Sequence, residues 1–266
     1  MELTLSSPIA EGRTAEIYSW NDGYILKLYH EWCPPHWVEH EAKVACAIAE
    51  AGIPTPAAGE IVNVNGRRGL VYERVSGISM LQDMNTCPWM IFKHARTLAE
   101  LHVRINRLTI AGLYSFTDGL MHTVQRAPHL DDELRERVLT HLASLADGEL
   151  VCHGDFHPGN VLLTDEGAVI IDWMTANTGN PWADVARTSM LLSIGAKSAG
   201  KQVSPIIRLF IRMYHRGYLK HYTGLVLDQD HELERWIPVI AAARLDEKID
   251  GEQQALIEMI ENGLTG

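Results

Sequence analysis

The stretch His153-Gly154-Asp155-Phe156-His157-Pro158-Gly159-Asn160 and the later run Ile170-Ile171-Asp172-Trp173 carry the residues best suited to chemistry. Asn160 lies five residues after Asp155, and Asp172 lies 17 after it. Phosphoryl transfer calls for this combination. One carboxylate must orient an acceptor hydroxyl and take its proton, and hard oxygen ligands must hold Mg²⁺ against the phosphates. Asp155 suits the first task. Asn160 and Asp172 suit the second, and Asp172 is expected at the end of an apolar strand that would position it rigidly.

The elements that must carry these groups can be read from the pattern. Thr14–Trp20 and Tyr24–Tyr29 are rich in β-branched and aromatic residues, and Asn21-Asp22-Gly23 between them signals a hairpin. Pro34-Pro35 opens a helix expected over 36–51, ended by Gly52 and Pro54. A second hairpin, Gly59–Val64 and Arg67–Val75, turns at Asn65-Gly66. After Gly77 helices are expected over 88–104, 131–145, 182–193, 205–221, 232–245 and 252–260. Short strands interrupt them at 150–152, 161–163 and 168–171. A boundary near Ser76-Gly77 would divide the chain into a β-rich lobe, residues 1–76, and a helical lobe, residues 77–266. A cleft between two such lobes is where a small-molecule site is expected.

The segment from His153 onward resembles the signature of the aminoglycoside phosphotransferase family, which includes choline kinase-like and other small-molecule kinases. It shares the offset of the protein-kinase catalytic loop, an Asp with an Asn five residues on. Gly154 stands where that loop has Arg, Trp173 follows Asp172 where Asp-Phe-Gly has Phe, and no Ala-Pro-Glu motif follows. These departures point to the small-molecule branch. The resemblance continues through Asn180-Pro181-Trp182-Ala183-Asp184, although the family often has Gly-Asp-Pro where this chain has Gly179-Asn180-Pro181.

The resemblance implies an α+β, bilobal protein-kinase-like fold, with a β-rich N-terminal lobe and a mainly helical C-terminal lobe. It implies an ATP- and Mg²⁺-dependent kinase acting on a hydroxyl of a small molecule, with GTP left open as the donor. Asp184 matches the acid that buttresses the catalytic loop. Lys27, set between apolar neighbours in Tyr24–Tyr29, matches the lysine that holds the α- and β-phosphates and pairs with a helical Glu. Glu41 best matches that Glu, with Glu39 as its rival. The stretch Leu70–Gly77 resembles the hinge, where the backbone around Glu73 and Val75 would bond the adenine edge. The loop 10–18, with Gly12 as its one glycine, would cover the phosphates. His153 is read as structural, its ring bonding the loop backbone. An aminoglycoside is the nominal acceptor; an amino alcohol, a sugar, an amino acid or a vitamin alcohol stay open.

Composition sets the outer bounds. The chain has 266 residues, 46% apolar and 21% charged, which is ordinary for a globular protein. With 34 acidic against 23 basic residues its net charge is −11, which disfavours a nucleic-acid partner. A cationic acceptor is compatible with that balance. The acids Asp228, Asp230, Glu232, Glu234, Asp246, Glu247 and Asp250 either attract such an acceptor or form solvated helix faces. No signal peptide and no membrane span is expected, and four scattered cysteines suit a reducing cytoplasm. A monomer or homodimer is expected. Two other patterns carry less weight. Gly195–Gln202 nearly matches a P-loop but has Gln where Ser or Thr should reach Mg²⁺, and Cys33, His36 and His40 lack a fourth zinc ligand. The competing reading is a catalytically silent nucleotide-binding protein on the same fold.

Overall fold

A computed structural model describes residues 6–198, 204–226 and 232–265. Its chain forms two compact units, residues 1–82 with 159–175, and residues 83–158 with 176–266. The chain therefore crosses from one to the other three times, first at Gln82-Asp83, whereas the change from strand to helix patterns placed one boundary near Ser76-Gly77. Gly159–Thr175 joins the first unit because its hairpin extends that unit's strands.

In the first unit the strands β1 (Ala10–Glu11), β2 (Ala15–Ser19) and β3 (Tyr24–Tyr29) precede helix α1 (Pro35–Glu50). Strands β4 (Ala58–Val64) and β5 (Arg67–Glu73) follow. They form one antiparallel sheet in the order β1-β2-β3-β5-β4. The Asn65-Gly66 turn has φ of 51° and 86° at its two residues, the primed geometry that matches strand twist. Successive side chains of a strand face opposite ways. Leu26 and Leu28 accordingly pack with Tyr18, Val64 and Val71, while Lys27 and Tyr29 turn to the other face. That face meets α1, which packs on β4 and β5. Short β6 (Ile78–Ser79) leads into α2 (Met80–Thr86).

The second unit contains α3 (Ile91–Ile105), α4 (Phe116–Arg126), α5 (Asp132–Ser144) and strand β7 (Leu150–Cys152). The chain then returns to the first unit for β8 (Val161–Thr164) and β9 (Gly167–Ile170), where β8 pairs antiparallel with both β6 and β9. Back in the second unit come β10 (Asn177–Gly179), α6 (Pro181–Ser198), α7 (Pro205–Leu225), α8 (Leu233–Arg244) and α9 (Gln253–Gly263). Helix α3 packs on α7, and α8 packs on α6 and α9. Strand β10 pairs antiparallel with β7.

Helices α2 and α4 were not expected. Helix α4 carries Gly119 in its second turn, which lowers its intrinsic preference. It forms because Ser115 caps it through the Asp118 amide at 3.0 Å and because Phe116, Leu120 and Val124 are buried. Of the P-loop-like stretch, Gly195–Ser198 ends α6 and 199–202 lie outside the described residues, as do Asp228 and Asp230. No helix among the described residues is long and apolar enough to cross a membrane.

Candidate active site

The first unit gathers Lys27, Glu41 and Asp172. Lys27 donates to both oxygens of Glu41, at 2.8 and 2.9 Å, and to Oδ1 of Asp172 at 2.7 Å. Glu41, on the buried face of α1, also accepts from the hydroxyls of Tyr29 and Tyr72. Burial on its own would discharge Lys27, but Glu41 and Asp172 hold its pKa above the ordinary lysine value, so it is charged. Burial and the Glu41 charge push both tyrosines up, so they remain donors. Glu39, two residues away on the exposed side of α1, pairs instead with Arg68 at 2.5 Å.

Asp172 does not end a strand, as the apolar run suggested. Strand β9 stops at Ile170, and Asp172 takes a left-handed φ of 68°. That conformation costs a non-glycine residue about 1 kcal/mol and turns the chain sharply. It leaves the Asp172 side chain 39% exposed while Trp173 beside it is buried, its indole donating to Thr55 at 2.9 Å. Asn160 closes a 3₁₀ turn just before β8, and its carbonyl accepts from the Ile171 amide at 3.0 Å. Asn160 and Asp172 therefore flank the same end of the β8–β9 hairpin. In the hinge stretch the Glu73 amide is taken by the Ala57 carbonyl, at 3.0 Å, and the Arg74 amide by Gly23, at 2.8 Å. Among the described residues the Val75 amide has no main-chain partner. The main-chain bonding of this stretch thus engages the Glu73 and Arg74 amides and not that of Val75.

The second unit holds the loop that follows β7. Asp184, wholly buried near the start of α6, accepts from the amides of His153 at 2.7 Å and Gly154 at 2.9 Å. It also accepts from His102 Nε2 at 2.9 Å and Asn106 at 3.3 Å. Burial would raise its pKa, yet the His102 ring, its hydrogen bond and the loop amides bring it below the ordinary carboxylate value. Gly154 has a φ of 76°, which lets consecutive amides converge on one carboxylate. The Asp155 amide donates to His153 Nδ1 at 3.3 Å. Thr188 bonds the Phe156 carbonyl at 2.8 Å, and the buried Phe156 ring packs against His102. Both backbone and core thus hold the loop, and the Asp155 side chain stays 30% exposed.

Asp155 has its own charged surroundings in this unit. His157 Nε2 lies 3.6 Å from one carboxylate oxygen and Arg187 3.8 Å from the other. Burial pushes the carboxyl up, but His157 and then Arg187 pull it well below the usual range, so it is ionised.

A sequence profile of the phosphotransferase enzyme family, APH, matches residues 7–225. This chain belongs to the phosphotransferase enzyme family. Solved structures agree in fold. A thermostable mutant of aminoglycoside phosphotransferase APH(4)-Ia, in ternary complex with ADP and hygromycin B, aligns with a TM-score of 0.63 at 14% identity, covering 98% of this chain and 91% of that one. Amicoumacin kinase hAmiN, in complex with AMP-PNP, Ca²⁺ and Ami, gives 0.66 at 14% identity over 97% and 87%. A choline/ethanolamine kinase family protein from Mesorhizobium loti gives 0.59 at 14% identity over 95% and 85%. A comparison with curated proteins gave no match. The phosphotransferase thus has the kinase-like fold of these proteins, an antiparallel sheet in its N-terminal part and helices in its C-terminal part.

Five residues that bond the candidate site residues within their own units escaped the sequence reading: Tyr29 and Tyr72 in the first, and His102, Asn106 and Arg187 in the second. Tyr29 had a signal, since it lies two residues after Lys27 on one strand and so shares its face. Arg187 lies three after Asp184 on α6, one helical turn on. His102 sat in an apolar helical run, where a polar ring reads as core. Tyr72 and Asn106 had none.

Proposed function

We propose that this phosphotransferase moves the γ-phosphate of ATP to a hydroxyl of a small molecule. The buried Lys27 ammonium, held between Glu41 and Asp172, carries this reading. A lysine fixed by two carboxylates, one of them held by two tyrosine hydroxyls, is a stationary positive point for the α- and β-phosphate oxygens. The Glu73 carbonyl and Val75 amide bond the adenine edge. Asn160 and Asp172 supply hard oxygen donors that would hold Mg²⁺, and the partly exposed Asp172 carboxylate suits that cation. When bound, Mg²⁺ neutralises phosphate charge.

Asp155 orients the acceptor hydroxyl and takes its proton. Its depressed basicity suits a loose transition state, in which the hydroxyl needs aiming more than early deprotonation. His153 and Asp184 hold the backbone beneath it. The ADP and AMP-PNP of the structural neighbours support a nucleotide donor, and their small-molecule ligands support an acceptor of that size. The setting proposed is the cytoplasm, where ATP is at hand.

The test is Mg²⁺-dependent ATP consumption across a panel of hydroxylated acceptors, with wild type beside Asp155→Asn. Acceptor-dependent consumption that the variant loses is the expected result. Retained ATP binding with no acceptor-dependent consumption anywhere in the panel would favour the silent nucleotide-binding protein.

A further inference from the structure

The carboxylate assigned to the acceptor hydroxyl already has a cation beside it. Arg187, on α6, has one guanidinium nitrogen 3.8 Å from Asp155 and another 2.5 Å from Glu247. Glu247 is held in turn by Arg244 at 3.0 Å, and Arg244 by Glu252 at 2.6 and 3.1 Å. The result is a row of alternating charge, Asp155, Arg187, Glu247, Arg244, Glu252, within the second unit. Its far end is buried, with Arg244 and Glu252 both nearly inaccessible. Arg187 is therefore anchored from behind, its side chain 16% exposed.

Two acids that composition offered to a cationic acceptor are likewise spoken for. Glu247 has two arginine partners, and Asp246 lies 3.4 Å from Arg126. An ammonium group approaching Asp155 would meet a fixed guanidinium of its own sign. Like charges set side by side at an interface are strongly disfavoured. A planar guanidinium with donors beyond two ion pairs suits an uncharged hydroxyl or a carboxylate instead.

We propose that Arg187 determines acceptor specificity, standing where a cationic acceptor's amine would sit beside Asp155, so that the acceptor's reacting end is uncharged or anionic. This rests on Asp155 being the residue that aims the acceptor hydroxyl. It turns the acceptor away from the aminoglycoside that family resemblance nominates.

Calorimetric titration of the full chain with hygromycin B, used as a polycationic probe, tests it. Wild type and Arg187→Lys are expected to show no saturable binding in the micromolar range. Arg187→Gln, which removes the guanidinium charge between Asp155 and Glu247, is expected to bind at least about fivefold more tightly. Adding Asp155→Asn to Arg187→Gln should remove most of that gain, which a purely structural role for Arg187 would not do. Micromolar binding to wild type, or a gain in Arg187→Gln below about fivefold, overturns the proposal. The wild-type titration decides alone if the neutral variant does not fold. The underlying reading fails separately, if Asp155→Asn leaves acceptor-dependent ATP consumption unchanged while these titrations stand.

Discussion

Asp155 and Asp184 lie in the same unit, and their surroundings suit them to the different tasks we propose. Asp184 is wholly buried and accepts from two loop amides, His102 and Asn106. Asp155 sits on the loop those amides hold and remains partly exposed. Asp155→Asn keeps the shape but removes the proposed proton acceptor, so kcat should fall on the order of 10²–10⁴-fold while nucleotide affinity, measured by titration, stays unchanged. Asp184→Asn should instead lower stability by about 3 kcal/mol in urea unfolding, because it strips charge from a buried, multiply bonded acceptor. The pH dependence has a definite sign. Asp184 is depressed in the folded state, so its contribution is complete above the unfolded carboxyl's value of about 3.9 and is lost as pH falls through the lower folded value. Below pH 4 wild type should therefore lose stability more steeply than Asp184→Asn.

At the scale of elements, α1 shows how one helix separates two acids of like type. Glu41 lies on its buried face against Lys27, and Glu39 on its exposed face against Arg68. Glu39→Gln should change stability by less than about 0.5 kcal/mol, as exposed pairs contribute little. Glu41→Gln should raise the KM for ATP and cost about 3 kcal/mol, since it leaves a buried lysine with one carboxylate. Urea unfolding and initial-rate kinetics check both. The β7–β10 pair makes a similar point through space rather than charge. A Cβ at Gly179 would come 2.8 Å from that of Phe116, and one at Gly148 would come 2.5 Å from the Gly179 carbonyl. Gly179→Ala should cost about 1–3 kcal/mol by forcing α4 away from β10.

Across the whole molecule, the first unit is assembled from two separate stretches of chain. Residues 159–175 bring Asn160 and Asp172, and without them Lys27 would keep Glu41 and lose its second carboxylate. Mg²⁺ and AMP-PNP should raise the melting temperature, with stabilisation reaching about 2.7 kcal/mol at 100 times Kd. In Asp172→Ala the Mg²⁺-dependent part of that rise should vanish. Thermal shift with and without the metal separates the two parts.

The sequence by itself determined the longer strands, their turns and the order of the acidic motif, but not the two- and three-residue strands β1, β6 and β10. What it determined is local: alternation within β3, Asn-Gly at a turn, five residues from Asp155 to Asn160. The family resemblance put Glu41 ahead of Glu39, and α1 docked on the sheet decided between them. Tertiary structure alone brought His102 to Asp184 across 82 residues and Glu247 to Arg187 across 60. No periodicity encodes such meetings, because they depend on how helices pack. Helix α4 likewise took its stability from burial rather than from propensity. A cationic acceptor was compatible with the net charge of −11. The arginines that pair with Asp155, Glu247 and Asp246 became visible only in the folded chain, and on our proposal they argue against such an acceptor.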